Sequence, residues 1–257
     1  MPSSLPTLTQ SAGLSGFGLA VGSAGLTPAQ LGLQGARLAT WDPVHQRYLQ
    51  DGEVTELRPG QGCWVRTDSP LPVQFTGTAV TDPFAIPLSR GWNLISPPFL
   101  SALDWNLNTL KVRCNGEERS LAGAVSNGWM ADYALVWRQD PVNPNTGKYV
   151  LIYDSWVMPG VPNQLEPWKA YWVRAYTDCE LVLPPPGRSA DAGRVRRAPV
   201  QGWSVRLQAS SRRGSGEVVL GMSTGREFLL GLPPAPPTDE APMSVALSGA
   251  RGQASVD

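Results

Sequence analysis

Two stretches of this chain resemble each other. Leu165–Arg174 lies over Leu57–Arg66 with no gap, sharing Leu165/Leu57, Pro167/Pro59 and the Trp172-Val173-Arg174/Trp64-Val65-Arg66 triplet. Both copies continue through an aspartate, Asp178 or Asp68, into an apolar run. Upstream, Leu135-Val136-Trp137 with Asp140-Pro141 and Tyr149 echoes Ala39-Thr40-Trp41 with Asp42-Pro43 and Tyr48. Further upstream, Gly91-Trp92-Asn93-Leu94 echoes Gly16-Phe17-Gly18-Leu19. Three blocks in the same order define two repeats, 14–78 and 86–187. The period is too long for a solenoid, so the repeats read as small modules in tandem, preceded by a disordered tail over 1–13.

Each block reads as β-structure. The 27 glycines and 25 prolines together make up a fifth of the 257 residues, leaving long helices little room. Arg90–Ser96 is an opening strand stopped by Pro97-Pro98. Ala134–Trp137 and Lys148–Tyr153 flank a turn-rich hairpin connection. Ala170–Tyr176 alternates Tyr171, Val173 and Ala175 against Trp172, Arg174 and Tyr176. Glu180–Leu183 closes the repeat before three prolines. One short helix is expected at Leu121–Val125, with Ser120 as N-cap and Asn127-Gly128 as stop. Its counterpart is expected at Thr27–Gly35, with Pro28 at the tolerated first position. Each repeat is then strand, short helix and a meander of about four strands. A linker spans 188–198, and 199–257 reads as a partial β-sandwich with a disordered C-terminal tail. In that part 202–209, 217–220 and 243–247 are strand candidates, and Leu232–Pro237 is an extended, polyproline-like crossover. The expected class is all-β.

Charge and cysteines narrow the function. Twenty-one basic residues balance 21 acidic ones, which argues against nucleic acid, whose phosphates call for clustered Lys and Arg. No run approaches the ~20 apolar residues of a membrane span, so membrane insertion is not expected. The N-terminus has neither the basic region nor the apolar run of a signal peptide. Cys63, Cys114 and Cys179 are widely spaced and fit neither a disulfide framework nor a C-x-x-C knuckle. They read as buried thiols, with Cys114 and Cys179 as a pair able to bridge in an oxidising compartment.

Gly91–Pro97, Leu135–Trp137 and Leu165–Ala175 resemble the "GWNLIS…LEPGKGYWVRA" β-modules of multidomain bacterial exported and cell-surface proteins. The segment from Gly202-Trp203 to Pro237 is similar to the Ig- or fibronectin-like β-sandwich that follows such modules. The resemblance is clear over 86–237 and degraded over 14–78, where Phe17 replaces the Trp and Cys63 the aromatic. It implies an accessory module, structural or adhesive, located outside the cytoplasm or on the cell surface. It carries no catalytic motif.

Candidate chemistry is sparse. Gly221–Gly225 matches the G-x-S-x-G nucleophile elbow around Ser223, but that motif needs a strand-to-helix turn and a downstream histidine. The sole histidine, His45, lies upstream in a turn. Asp140, Asn143 and Asn145 offer oxygen ligands without the closing glutamate of a calcium loop, so turn formation explains them better. Glu166, Asp178 and Glu180 sit at strand edges and define no carboxylate pair. No catalytic residue, metal or cofactor is assigned. Of the 10 tryptophans, Trp92, Trp137 and Trp172 fall at core positions, whereas Trp129, Trp156 and Trp168 stand in turns. Trp156, Trp168 and Tyr153, with Trp129, either form an exposed platform for a sugar ring or a neighbouring protein domain, or cap the open end of a small barrel. A carbohydrate-binding module and a hydrolase-associated fragment are therefore the alternatives to a structural role.

Overall fold

The computed structural model of the protein describes residues 8–187, 203–211, 214–223, 226–228 and 232–237. The fold is all-β, built of several antiparallel sheets, with one α-helix among the described residues. The first segment contains β1 (Leu8–Gln10), β2 (Gly13–Gly18), β3 (Arg37–Asp42), β4 (Arg47–Gln50), β5 (Gly62–Thr67) and β6 (Leu71–Val73). The second contains β7 (Phe84–Leu88), β8 (Gly91–Ile95), β9 (Leu103–Asp104), β10 (Lys111–Cys114), β11 (Glu117–Ser120), α1 (Leu121–Ser126), β12 (Met130–Gln139), β13 (Gly147–Ile152), β14 (Gln164–Leu165), β15 (Tyr171–Ala175) and β16 (Cys179–Leu183). A third group is β17 (Trp203–Ser211), β18 (Gly214–Ser223) and β19 (Arg226–Phe228).

Two four-stranded sheets have matching order: β2-β5-β3-β4 in the first segment and β8-β15-β12-β13 in the second. Neither is a simple meander. The hairpins β3-β4 and β12-β13 pair neighbours in the chain, and the later strand, β5 or β15, lies between the hairpin and the opening strand. Gly62–Thr67 and Tyr171–Ala175 are apolar on both faces, which suits a central strand covered on each side. The order of apolar runs along the chain does not reveal that insertion.

Strand alternation then divides three cores. Phe17, Leu38, Cys63 and Val65 face an outer cluster that also takes Leu31, Leu33, Leu57 and Val73. Leu14, Ala39, Trp41 and Trp64 face the opposite way, against Leu94, Tyr133, Leu135, Leu151 and Trp172 of the second sheet. The far side of that sheet, through Ile95, Ala134, Tyr171 and Val173, packs on a third sheet, β11-β10-β16-β7, and on α1. The two segments thus share one core between their facing sheets. Gly62 permits the contact: a Cβ there would lie 2.8 Å from the Ala170 Cβ and 2.9 Å from the Ile95 carbonyl oxygen.

The hairpin turns lock the facing sheets. Asp42 Oδ1 accepts from the Val44 and His45 amides, and Asp140 Oδ1 accepts from Val142 and Asn143 in the same way. Each turn reaches the start of the other sheet. The Trp92 amide donates to Gln46 Oε1 at 3.0 Å, and the Leu14 amide donates to the Pro144 carbonyl at 2.8 Å.

Four expectations change. Residues 8–13 are not a tail: Leu8–Gln10 pairs with Leu71–Val73, and β2 starts at Gly13. Thr27–Gly35 forms hydrogen-bonded turns rather than a helix, because Gly32, at φ +72°, ends the run after one turn. The sheets are not meanders, since β5 and β15 enter between earlier strands. The opening strands also match three residues away from the letter match. Trp64 opposes Gly16 and Trp172 opposes Leu94, which equates Gly13 with Gly91; both are glycines at positive φ, +91° and +109°. Helix α1 does form, with Ser120 Oγ accepting from the Gly123 amide. The 188–198 linker, the 243–247 strand and the C-terminal tail lie outside the described residues.

Candidate functional site

Aromatic side chains of both sheets gather at one edge of the shared core, and the groove is the strip of this edge that the 232–237 segment covers. Trp41 of β3 meets Trp172 of β15 edge to face, centroids 5.2 Å apart at 79°. Trp64 of β5 meets Trp137 of β12 at 5.7 Å and 81°. These two contacts exchange the roles of the sheets, and the flanking tyrosines follow suit: Tyr48 lies 6.4 Å from Trp172, and Tyr149 lies 6.5 Å from Trp64. Such edge-on geometry places ring hydrogens on the negative π-face of the neighbour. Trp41 Nε1 donates to the Trp92 carbonyl at 2.7 Å. Its equivalent, Trp137 Nε1, is buried without a hydrogen-bond partner.

Tyr48 and Tyr149 stand on β4 and β13, the edge strands of their sheets, so their hydroxyls reach the rim. Burial pushes both phenols up, and for Tyr149 the nearby Tyr48 adds to the effect. They are therefore neutral donors through neutral and mildly alkaline pH. The Trp172 indole N–H opposes the shift on Tyr149 by donating to its hydroxyl at 3.2 Å. Trp64 acts on Tyr48 in the same sense, although its Nε1 makes no bond of ordinary geometry.

The segment 232–237 lies along this rim. Tyr149 donates its hydroxyl to the Pro234 carbonyl at 2.8 Å, and Tyr48 donates to the Ala235 carbonyl at 2.8 Å. Pro233 and Pro236 are buried while Ala235 is exposed. Pro237 borders a small hollow shared with Leu14, Ala39, Gln50 and Trp64.

The turn aromatics singled out by sequence do not form one platform. Trp156 is 72% exposed, on a loop pinned by the buried Asp154 carboxylate, which accepts from the Leu107 and Trp156 amides. Tyr153 is buried, its hydroxyl donating to Asp132 Oδ2 at 2.5 Å. Trp168 packs on Phe75, 4.4 Å away, and on Phe17 in the outer core of the first segment. Trp129 is half-buried against the third sheet's core beneath the Arg119 guanidinium, 5.6 Å from its ring. These residues belong to separate clusters, because each turn closes over the apolar face nearest to it.

His45 pairs through Nδ1 with Asp42 Oδ2 at 2.8 Å inside its turn and holds that carboxyl below its usual range. Ser223 is the last residue of β18, opposite Arg226 of the next strand, a strand-to-strand setting unlike a nucleophile elbow. Among the described residues no three His, Cys, Asp or Glu side chains gather in a metal-binding arrangement, and no helix is long and apolar enough to cross a membrane. The three cysteines are buried thiols. Sequence reasoning placed Trp137 and Trp172 in the core but missed the groove. Its signal is the tyrosine that follows each hairpin turn, together with a P-x-x-P run downstream.

Comparison of the chain with protein families, curated proteins and solved structures finds no match.

Proposed function

We propose that this chain is a non-catalytic structural or adhesive β-module of a larger extracellular or cell-surface protein, in which the two repeats act as one stiff block. The observation that carries the reading is the reciprocal ring contact of Trp41 with Trp172 and of Trp64 with Trp137, which commits the large aromatics to joining the sheets. The sequence resemblance to modules of exported proteins supports the location. Pulling the chain from its ends by single-molecule force spectroscopy tests the reading. One block over 8–187 releases about 60 nm in a single step, at ~3.5 Å per residue. Two separate steps of roughly 20 and 35 nm refute it.

Trp156 supports a second reading, glycan binding, because it alone among the candidate aromatics presents its ring to solvent. Retention of the chain on insoluble polysaccharide, lost in Trp156→Ala, would establish that reading. No retention by the folded chain removes it.

A further inference from the structure

The groove and the segment on it have the chemistry of polyproline recognition. A polyproline-II strand has three residues per turn and no internal hydrogen bonds, so positions i and i+3 share an edge and the carbonyls are left for outside donors. Both properties are met here. Pro233 and Pro236, three apart, are buried, and Ala235 between them faces solvent. The two carbonyls of Pro234 and Ala235 each accept from a tyrosine hydroxyl, one from each sheet. Prolines lack amide hydrogens, so a groove that offers tyrosine hydroxyl donors, with no call for backbone donors, selects this kind of strand over an ordinary β-strand. Tyr149 is itself held by the Trp172 indole, which makes a chain from indole N–H to hydroxyl to proline carbonyl. The same segment follows β17–β19 in the chain, and β18 passes beside β13.

We propose that the groove between the two sheets is a polyproline-II binding site whose resident ligand is the chain's own 232–237 segment, a latch that fastens the C-terminal strands to the two-sheet body. The segment is a tethered ligand, favoured by its high effective concentration over any free peptide. Displacing it frees a site for a proline-rich peptide with the same P-x-x-P spacing.

The test uses the full chain and a synthetic peptide with the sequence of residues 232–237. In Pro233→Asp/Pro236→Asp the latch carries charges that the buried positions reject. This chain is expected to bind the peptide at least tenfold more tightly than wild type, read by tryptophan fluorescence and calorimetry. A peptide with glycine in place of its first and third prolines binds at least tenfold less. In the opened chain, Tyr48→Phe and Tyr149→Phe each weaken binding about threefold to tenfold, the range of one hydrogen bond. No peptide binding by an opened chain with an unchanged circular dichroism spectrum overturns the proposal, as does binding indifferent to both tyrosines. Should the charged variant not fold, a bimane dye on Ala235→Cys decides. Quenching by the groove aromatics in the native monomer, relieved severalfold in Tyr48→Phe/Tyr149→Phe, supports the latch. An unquenched native monomer, or quenching found only in a dimer, overturns the assignment of the chain's own segment as occupant.

Discussion

Replacing Trp172 by alanine is the most informative perturbation of the shared core. The side chain is 1% exposed and meets Trp41, Tyr48 and Trp92 edge on, at 5.2, 6.4 and 6.2 Å. Its indole also donates to Tyr149. Deleting a fully buried tryptophan forfeits its transfer energy and leaves a cavity, about 3–5 kcal/mol in well-packed cores. Trp172→Ala should therefore cost about 4 kcal/mol in urea unfolding followed by far-ultraviolet circular dichroism. Trp172→Phe keeps one ring and loses the N–H donor, so it should cost about 1–2 kcal/mol. A double-mutant cycle isolates the link between sheets. The Trp41→Ala/Trp172→Ala cycle should give a coupling of about 0.5–1.5 kcal/mol. The Trp64→Ala/Trp137→Ala cycle, with nearly the same ring geometry, should agree with it to about 0.5 kcal/mol. Trp156→Ala, at an exposed ring, should stay within about 0.5 kcal/mol of wild type. A Trp172→Ala cost below about 1.5 kcal/mol, or zero coupling in both cycles, would refute the claim that these rings join the two sheets.

Three further outcomes follow from particular contacts. Gly62→Ala pushes a methyl group against Ala170, Leu94 and the Ile95 carbonyl, and should lower stability by about 1–3 kcal/mol with broadened unfolding of both sheets; a neutral result would mean that the sheets are not in close contact there. The Cys63 thiol is raised by complete burial and the Cys179 thiol is pushed up to about 11, so dithionitrobenzoate at about pH 8 should label none of the three cysteines in the native chain and all three in guanidinium. One thiol in guanidinium instead of three, with the label found on Cys63, would reveal a bridge between Cys114 and Cys179. Asp42 is held below its ordinary pKa of 3.8, first by the His45 side chain, so its contribution is complete above pH 3.8 and lost as pH falls through the lowered folded value. Asp42→Asn keeps an acceptor for the turn, and its melting temperature should fall less than that of wild type from about pH 5 to about pH 2.5. Parallel curves would show that the pair adds nothing.

Much of the local structure was legible in the chain. The period-two pattern of Tyr171–Ala175 placed Tyr171 and Val173 on one face and Trp172 on the other, and they line two different cores. Ser120 and Asn127-Gly128 bounded the helix, because capping is a local transaction between a side chain and nearby amides. Turns at Asp42 and Asp140 were legible for the same reason. The Thr27–Gly35 expectation failed on one residue, Gly32, whose backbone took a conformation that the surrounding pattern did not demand. Of the two readings of the turn aromatics, a single platform does not form, because a tryptophan in a turn is exposed or buried according to what the turn folds onto. Trp156 faces solvent, while Trp168 finds Phe17 and Phe75, which lie 151 and 93 positions away in the chain (168 less 17 and 168 less 75).

The all-β class, the two faces of Tyr171–Ala175, the helix cap and the likeness between Leu57–Arg66 and Leu165–Arg174 can be read from the chain without its fold. All of these rest on neighbours within a few residues or on matching letters. The folded arrangement was needed to see that β5 and β15 enter the middle of their sheets, that the sheets meet face to face, and that Tyr48 and Tyr149 converge on Leu232–Pro237. These outcomes depend on long-range burial and on donors finding acceptors across 85 and 187 positions of chain. Residue spacing alone carries no record of such meetings, because apolar surface is satisfied by whichever partner the whole fold brings to it.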